Sequence, residues 1–356
     1  MKMAGVHYMP ETVEELSELV RETKGPIVVG VGHDSGVGWP TPIRSKLCER
    51  ARTALEALID RQRVGEQPLR DVAAAEQEFW EGITCIELSR FDDVIEFHPE
   101  DQVMQVGTSA IVPSQKYMSA QADASVTAAS GTLRQELKRS GQCLPCNTVL
   151  ADGSFETSLQ TVGRGIAINF PHCLQAQCGS WRDWVLGMTV VLADGTVVKT
   201  GSKAVKSVAG YDVHKLMIGA YDTLGIVVDV TLRTFPLKAL PEPDLTWGRA
   251  QEKFKGETIQ GRNVWRQRVL RSCYADALKG AGNNLLYGDN ASFTLWCWLD
   301  SPDQELPRYP GDWVVRTGCG EKNVQITDPT QIRFMKRAKA IFDPDGKLNP
   351  GEFGFL

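Results

Sequence analysis

Residues 205–236 read VKSVAGYDVHKLMIGAYDTLGIVVDVTLRTFP, and the way this stretch passes from loop to strand decides the fold. Its second half, Ile226 to Phe235, is a β-branched, apolar run bounded by Gly225 and Pro236, which predicts a strand. Gly210 to Gly219 reads as a short helical segment before it. Upstream, GSWRDWVLGMTVVLADGTVV at 179–198 predicts strands at Val185–Leu192 and Val197–Lys199, joined as a hairpin by the Ala193-Asp194-Gly195 turn. Downstream, a helix from Ile332 to Phe342 is closed by Asp343-Pro344-Asp345-Gly346. Antiparallel hairpins mixed with helices predict an α+β protein.

The amino-terminal part agrees. Thr12-Val13-Glu14-Glu15 reads as a capping box, and Val13, Leu16, Leu19 and Val20 share one helical face until Gly25-Pro26 stops it. A strand at about 26–30 then runs into GVGHDSGVG at 30–38. Glycines after a strand let bare backbone N–H groups approach an anion. In a dinucleotide-binding βαβ unit a helix follows such glycines at once. Here Trp39-Pro40-Thr41-Pro42 blocks an immediate helix, and the spacing is not GxGxxG. Residues 43–80 read as a helical insertion with an apolar stripe of Leu47, Ala51, Leu55, Leu58 and Ile59. Short strands are predicted at Thr84–Leu88, Val94–Phe97 and Val103–Val106, and a helix at Thr132–Arg139. Pro236 and Pro241-Glu242-Pro243 mark a boundary. Beyond it, 244–330 is rich in Trp and Arg, with one clear strand at Ser292–Trp298.

Composition sets bounds. The 356 residues are 42% hydrophobic, enough for roughly two domains with their own cores. A net charge of -5 with no Lys/Arg run argues against nucleic acid. The most apolar segment, Leu216 to Val230, is interrupted by Asp222 and Asp229, so no membrane span is expected. Nine cysteines and no export signal at the start predict reduced thiols and a cytoplasmic protein, peripheral to a membrane at most through a complex.

Three stretches together carry a resemblance: GSWRDWVLG at 179–187, VKSVAGYD at 205–212 with TLG at 223–225, and FDPDGKLNPGEF at 342–353. They resemble the FAD-linked oxidases of the vanillyl-alcohol-oxidase (PCMH-type) superfamily, and within it most nearly the E-subunit branch of bacterial glycolate oxidases. The resemblance covers most of the chain but is weak over 43–80 and 244–330. It implies a two-subdomain FAD-binding fold over 1–237, a reduced cap or substrate domain over 238–330, and a carboxy-terminal helix and tail over 331–356 that returns to the FAD domain. FAD is the implied cofactor. Gly30, Val31, Gly32, His33, Asp34 and Ser35 would wrap its pyrophosphate. Thr161, Gly163, Gly179 and Ser180 would form a second layer, with Arg182 and Asp183 pairing to fix that turn. Leu224, Gly225 and Ile226 would run beside the flavin, Ala209, Gly210 and Tyr211 would close over it, and Asn349 would approach the ring from the tail. The chain departs from the pattern at Arg164, Ser207 and Asp222, where relatives commonly carry Gly, Asn and Gly.

The chemistry implied is oxidation of a 2-hydroxy acid such as glycolate, with hydride transfer to flavin N5. Such a site needs a cation for the carboxylate and a base for the hydroxyl. Arg262, Arg266, Arg268, Arg271 and Arg316 offer the cation, although a solvated basic face is the favoured reading of such a run. No catalytic residue is assigned, because no histidine follows His214 and nothing selects among Tyr274, Tyr287 and Tyr309. His172 reads as a loop residue and His214 as helix surface. Cys143 with Cys146 and Cys173 with Cys178 could be read as zinc ligands or a redox set, but the second pair's spacing is irregular and no metal site is assigned. The resemblance implies partners too: a small-molecule substrate, a second FAD subunit and an iron–sulfur subunit. Two other readings stand beside this one. The first is a non-catalytic partner subunit that keeps the FAD fold. The second is a stand-alone sugar or alditol oxidase with flavin bonded covalently to His33.

Overall fold

A computed structural model describes residues 6–30, 83–112, 131–146, 148–149, 155–156, 161–169, 172, 174–201, 212–241, 244–250, 264–301, 304–311, 313–317 and 329–351. The 43–80 insertion lies outside them. The fold is α+β. A small parallel sheet has the order β1 (Val6–Tyr8), β3 (Thr84–Glu87), β2 (Ile27–Gly30). Beside it stands a five-stranded antiparallel sheet. Its order is β10 (Val197–Gly201), β9 (Val185–Val191), β11 (Ile226–Arg233), β5 (Val103–Gly107), β4 (Val94–His98). Two-stranded ribbons are formed by β6 (Gln142–Cys143) with β12 (Phe235–Pro236), and by β7 (Thr148–Val149) with β8 (Phe155–Glu156).

The decisive stretch forms the centre. β11 is buried from Ile226 to Leu232 and pairs antiparallel with both β9 and β5. A strand hydrogen-bonded on both edges and covered on both faces needs a mostly apolar run; here Asp229 interrupts it and accepts from Gln105 Nε2 of β5 at 2.8 Å. One face, with Val227, Val230 and Leu232, packs in a core with Met188, Val190, Trp181 and Trp184. The other, with Ile226 and Val228, packs with Leu16, Val20, Ile27 and Ile86. The two sheets are thereby joined across β11 and its neighbour β9, whose Val191 lies in the second core while Met188 and Val190 lie in the first.

Helix α1 (Val13–Glu22) supplies Leu16 and Val20 to that second core. Thr12 caps it by accepting from the Glu15 amide at 3.1 Å. Glu15 reaches one residue beyond the predicted box and accepts from the Glu11 amide at 2.9 Å. α2 (Gly131–Ser140) follows the expected span within a residue at each end. Three short helices come next, α3 (Val162–Ala167), α4 (Gln175–Cys178) and α5 (Trp181–Trp184), and α6 (His214–Met217) precedes β11. Only four residues of the predicted 210–219 segment are helical; 210–211 lie outside the described residues.

The 244–330 region corrects the sequence reading. In place of one strand it holds a five-stranded antiparallel sheet. The order is β13 (Leu245–Trp247), β15 (Leu285–Asp289), β16 (Thr294–Trp298), β14 (Val264–Arg268), β17 (Trp313–Thr317). One helix, α7 (Tyr274–Ala281), packs on it, and Trp265, Leu295 and Cys297 lie between. Strands such as VWRQR hide their alternation because a buried amide, Gln267, occupies an inward position and donates to the Tyr309 carbonyl at 2.7 Å. α8 (Pro329–Phe342) begins one turn earlier than expected.

Candidate functional site

The tail after α8 ties the two amino-terminal sheets together. Lys339 is buried, and its ammonium donates to the Thr223 carbonyl at 2.8 Å, the Leu348 carbonyl at 2.7 Å and Asp343 Oδ2 at 2.6 Å. Asp343 in turn accepts from the amides of Lys347 and Leu348. Burial lowers the Lys339 pKa and the Asp343 carboxylate opposes that shift. Lys347 donates to the Val20 and Thr23 carbonyls at the end of α1. Asn349 is 2% exposed and fully engaged. Its Oδ1 accepts from the Val29 amide at 2.9 Å, its Nδ2 donates to the Tyr221 carbonyl at 2.8 Å, and its own amide donates to Ile27. The expected cofactor residue Asn349 therefore joins β2, which leads into the glycine-rich loop, to the turn before Leu224.

That turn explains one departure. Tyr221 and Asp222 both have φ of 55°. Glycine takes this conformation freely, and Asp tolerates it better than most residues. Thr223 is buried, and Leu224 and Ile226 are core residues of opposite faces. A Cβ on Gly225 would lie 2.5 Å from Val190, so that position requires glycine for packing.

Gly30 ends β2, and its carbonyl accepts from the Leu88 amide. Residues 31–35, and with them Val31, Gly32, His33, Asp34 and Ser35, lie outside the described residues, as do Ala209, Gly210, Tyr211 and Ser207. The second layer is described. Thr161 caps α3 by accepting from the Arg164 amide at 3.1 Å, and Gly163 donates to the Thr108 carbonyl at 2.6 Å. Gly179 has φ of 82° and its amide is held by the Gln175 carbonyl. Ser180 donates through both amide and hydroxyl to Asp183 Oδ2, at 2.7 and 2.8 Å. The amides of Gly163, Gly179 and Ser180 are thus committed internally. The expected Arg182–Asp183 pair is replaced: Asp183 holds Ser180, and Arg182 donates to the Lys215 carbonyl at 2.6 Å. An aspartate three residues into a short helix folds back on the cap more readily than onto its chain neighbour.

Between α3 and α5 the chain presents polar atoms to a seam with the 245–317 sheet. Leu174 and Ala250 pack there with Leu286, Tyr287 and Trp296. Tyr287 and Trp296 stack at 5.3 Å, and the Arg266 guanidinium lies over the Trp296 ring at 5.1 Å. Arg266 is within electrostatic range of Tyr287 and of Tyr221, and burial lowers its pKa to about 10, which leaves it cationic at neutral pH. His172 is buried two residues before Leu174, its ring 4.8 Å from that of Trp184. Burial and the nearby Arg266 push its pKa down to about 3, against a hydrogen bond to Gly179 that raises it. Of the five arginines offered by the sequence, Arg266 reaches the seam. Arg268 and Arg271 are exposed, and Arg262 lies outside the described residues. His214, expected on a helix surface, is instead 3% exposed, and burial lowers its pKa. The Cys143 thiol is pushed up to about 12 by burial and then by its neighbour Cys178, so it stands protonated.

The described residues fit a flavin nucleotide in two respects. Gly30, Thr161–Gly163, Leu224–Gly225 and Asn349 belong to segments bonded to one another through β2, β11 and the tail. Asn169, with φ of 45°, keeps a buried Oδ1 that finds no donor among the described residues, an acceptor that a ligand O–H or N–H could meet. FAD would be held by these segments and by the 30–35 loop.

The described residues thus form an α+β framework in which β11 and β9 join a small parallel sheet to a larger antiparallel one, with the Arg266 guanidinium at the seam with the 245–317 sheet. No family model matches the chain. The chain is homologous to glycolate oxidase subunit GlcE of Escherichia coli, 28% identical over 282 residues, covering 62% of this chain and 78% of that one. A shorter stretch is 40% identical to glycolate oxidase subunit GlcD of Bacillus subtilis over 78 residues, 22% of this chain and 17% of that protein. Another is 42% identical to a mitochondrial D-lactate dehydrogenase (cytochrome) of Arabidopsis thaliana over 82 residues, 23% of this chain and 14% of that protein. The relatives are oxidase subunits and dehydrogenases, as the motif resemblance led us to expect. Among the described residues no helix is long and apolar enough to cross a membrane.

Proposed function

We propose that this chain is an FAD-binding oxidoreductase subunit that takes part in the oxidation of a 2-hydroxy acid such as glycolate, within a complex that includes a second FAD subunit and an iron–sulfur subunit. Residues 1–237 would bind the cofactor, 238–330 would cap the substrate site, and 331–356 would lock the cofactor half. The observation that carries this reading is Arg266, a cation brought by β14 over the Trp296 ring at 5.1 Å and within electrostatic range of Tyr221 and His172. A guanidinium in a partly desolvated site recognises a carboxylate strongly and with fixed geometry. Likeness to GlcE over 282 residues supports the same class. FAD, when bound, supplies the hydride acceptor. The chain's own part is to orient the carboxylate on Arg266, to exclude water with Trp296 and Tyr287, and to hold the turn from Tyr221 to Gly225 rigid through Lys339 and Asn349.

Reconstitution tests the reading. The purified chain is expected to take up added FAD, and glycolate or D-lactate is expected to bleach its yellow colour anaerobically. A protein that takes up no FAD sinks the proposal. Yellow protein that neither acid bleaches points to the non-catalytic partner subunit, and bleaching by a polyol alone to the sugar or alditol oxidase. Colour that leaves the acid-precipitated pellet entirely excludes a covalent bond to His33.

A further inference from the structure

His172 is 3% exposed, yet only half of its polar edge is used. Its Nε2 lies 2.9 Å from the Gly179 carbonyl, which can only accept, so Nε2 carries the proton. Nδ1 is then a lone pair, buried and without a hydrogen-bond partner among the described residues. A buried acceptor left without a donor is costly, and sites that keep one are matched to a ligand donor. Trp184 fixes the ring plane from one side. Arg266 comes from the opposite sheet, near enough for its charge to act on the imidazole. A neutral acceptor and a guanidinium held over the Trp296 ring thus lie within electrostatic range of one another. A ligand with an O–H donor on the carbon next to a carboxylate matches both.

We propose that His172 Nδ1 accepts the 2-hydroxyl of a 2-hydroxycarboxylate whose carboxylate rests on Arg266, so that His172 selects hydroxy acids over their deoxy counterparts. This rests on the substrate class proposed above. It assigns the hydroxyl contact to the cofactor half of the protein and the carboxylate contact to the 245–317 sheet. A carboxylate seated on Arg266 also offsets the field that disfavours a proton on His172, so the two contacts reinforce each other.

The test uses the full chain loaded with FAD and a matched pair of unreactive ligands. 2-Hydroxyisobutyrate has the hydroxyl and the carboxylate but no hydrogen on the carbinol carbon. Isobutyrate lacks only the hydroxyl. Calorimetric titration is expected to show the wild type preferring the hydroxy acid by ~10-fold or more. H172Q keeps a donor for the Gly179 carbonyl but places no acceptor at Nδ1, and should bring the preference to about 2-fold or less while isobutyrate still binds. H172N places its amide near Nδ1 and should retain most of the preference. Equal binding of the two acids by the wild type, or an undiminished preference in H172Q, overturns the inference and leaves the substrate class standing. A wild type that takes up FAD but binds neither acid removes the substrate class itself. Should the variants fail to fold, imidazole nitrogen NMR of the wild type decides: the Nδ1 resonance must move with 2-hydroxyisobutyrate and not with isobutyrate, and a resonance that ignores both overturns the assignment.

Discussion

Replacing Lys339 by methionine should cost about 4 kcal/mol of folding stability, within the 3–5 kcal/mol range for removing one partner of a buried ion pair. The substitution keeps most of the side chain's apolar stem and deletes the ammonium. Three acceptors lose their donor: the carbonyls of Thr223 and Leu348, and Asp343 Oδ2. Asp343 is 1% exposed and retains the Lys347 and Leu348 amides, so its charge stays partly stabilised. That keeps the expected cost below the top of the range. Part of the loss is offset because no ammonium need be desolvated. Urea denaturation of the full chain measures the change. The double variant K339M/D343N should cost less than the two single variants summed, by about 2 kcal/mol, because the stranded charge is gone. A K339M loss under about 1 kcal/mol, or strict additivity in the cycle, would refute the reasoning that this ion pair holds the tail.

Gly165→Ala pits helix propensity against packing. Alanine favours a helix interior by about 1 kcal/mol, but a Cβ there would lie 2.3 Å from the Trp181 ring. Overpacking of ~1–3 kcal/mol should win, giving a lower melting temperature and an altered near-ultraviolet spectrum from the Trp181–Trp184 pair. The histidines should split in an NMR titration, with the His98 midpoint above 6.5 because Glu96 and Glu100 stabilise its cation, and His172 neutral until about pH 3. For His172 the unfolded chain binds the proton first, so stability should fall as pH drops from 6.5 towards 3, by up to ~1.4 kcal/mol per pH unit. For exposed His98 the sign reverses: its small stabilisation is present below 6.5 and fades as pH rises through the folded value.

The framework of the amino-terminal 237 residues was readable from the sequence because its strands are largely apolar runs between glycine and proline, as in Ile226–Phe235, and because Thr12 sits where a cap must. The second sheet was hidden. Its strands interleave Arg, Gln and Trp, and their inward polar groups are satisfied by partners far along the chain, such as Gln267 by Tyr309. Asn349 could be singled out by motif, but its engagement with Val29 and Tyr221 is a matter of tertiary contact. His172 looked like an ordinary loop residue, since no sequence pattern announces that Arg266 comes within electrostatic range of it. Its one local signal was the run Pro171-His172 shortly before Gly179-Ser180.

The Asn349 bridge also sets an order of events. Val29 and Asn349 are 320 positions apart. During synthesis at roughly 5–20 residues per second, β2 leaves the ribosome well before the side chain that fastens it exists. The strand must therefore wait with an open backbone edge, and on the function proposed above nucleotide binding would mature only after the tail has docked. Ribosome-stalled chains ending before residue 349 should accordingly be sensitive to protease at β2 and slow to capture flavin, whereas chains released beyond it should gain both properties together.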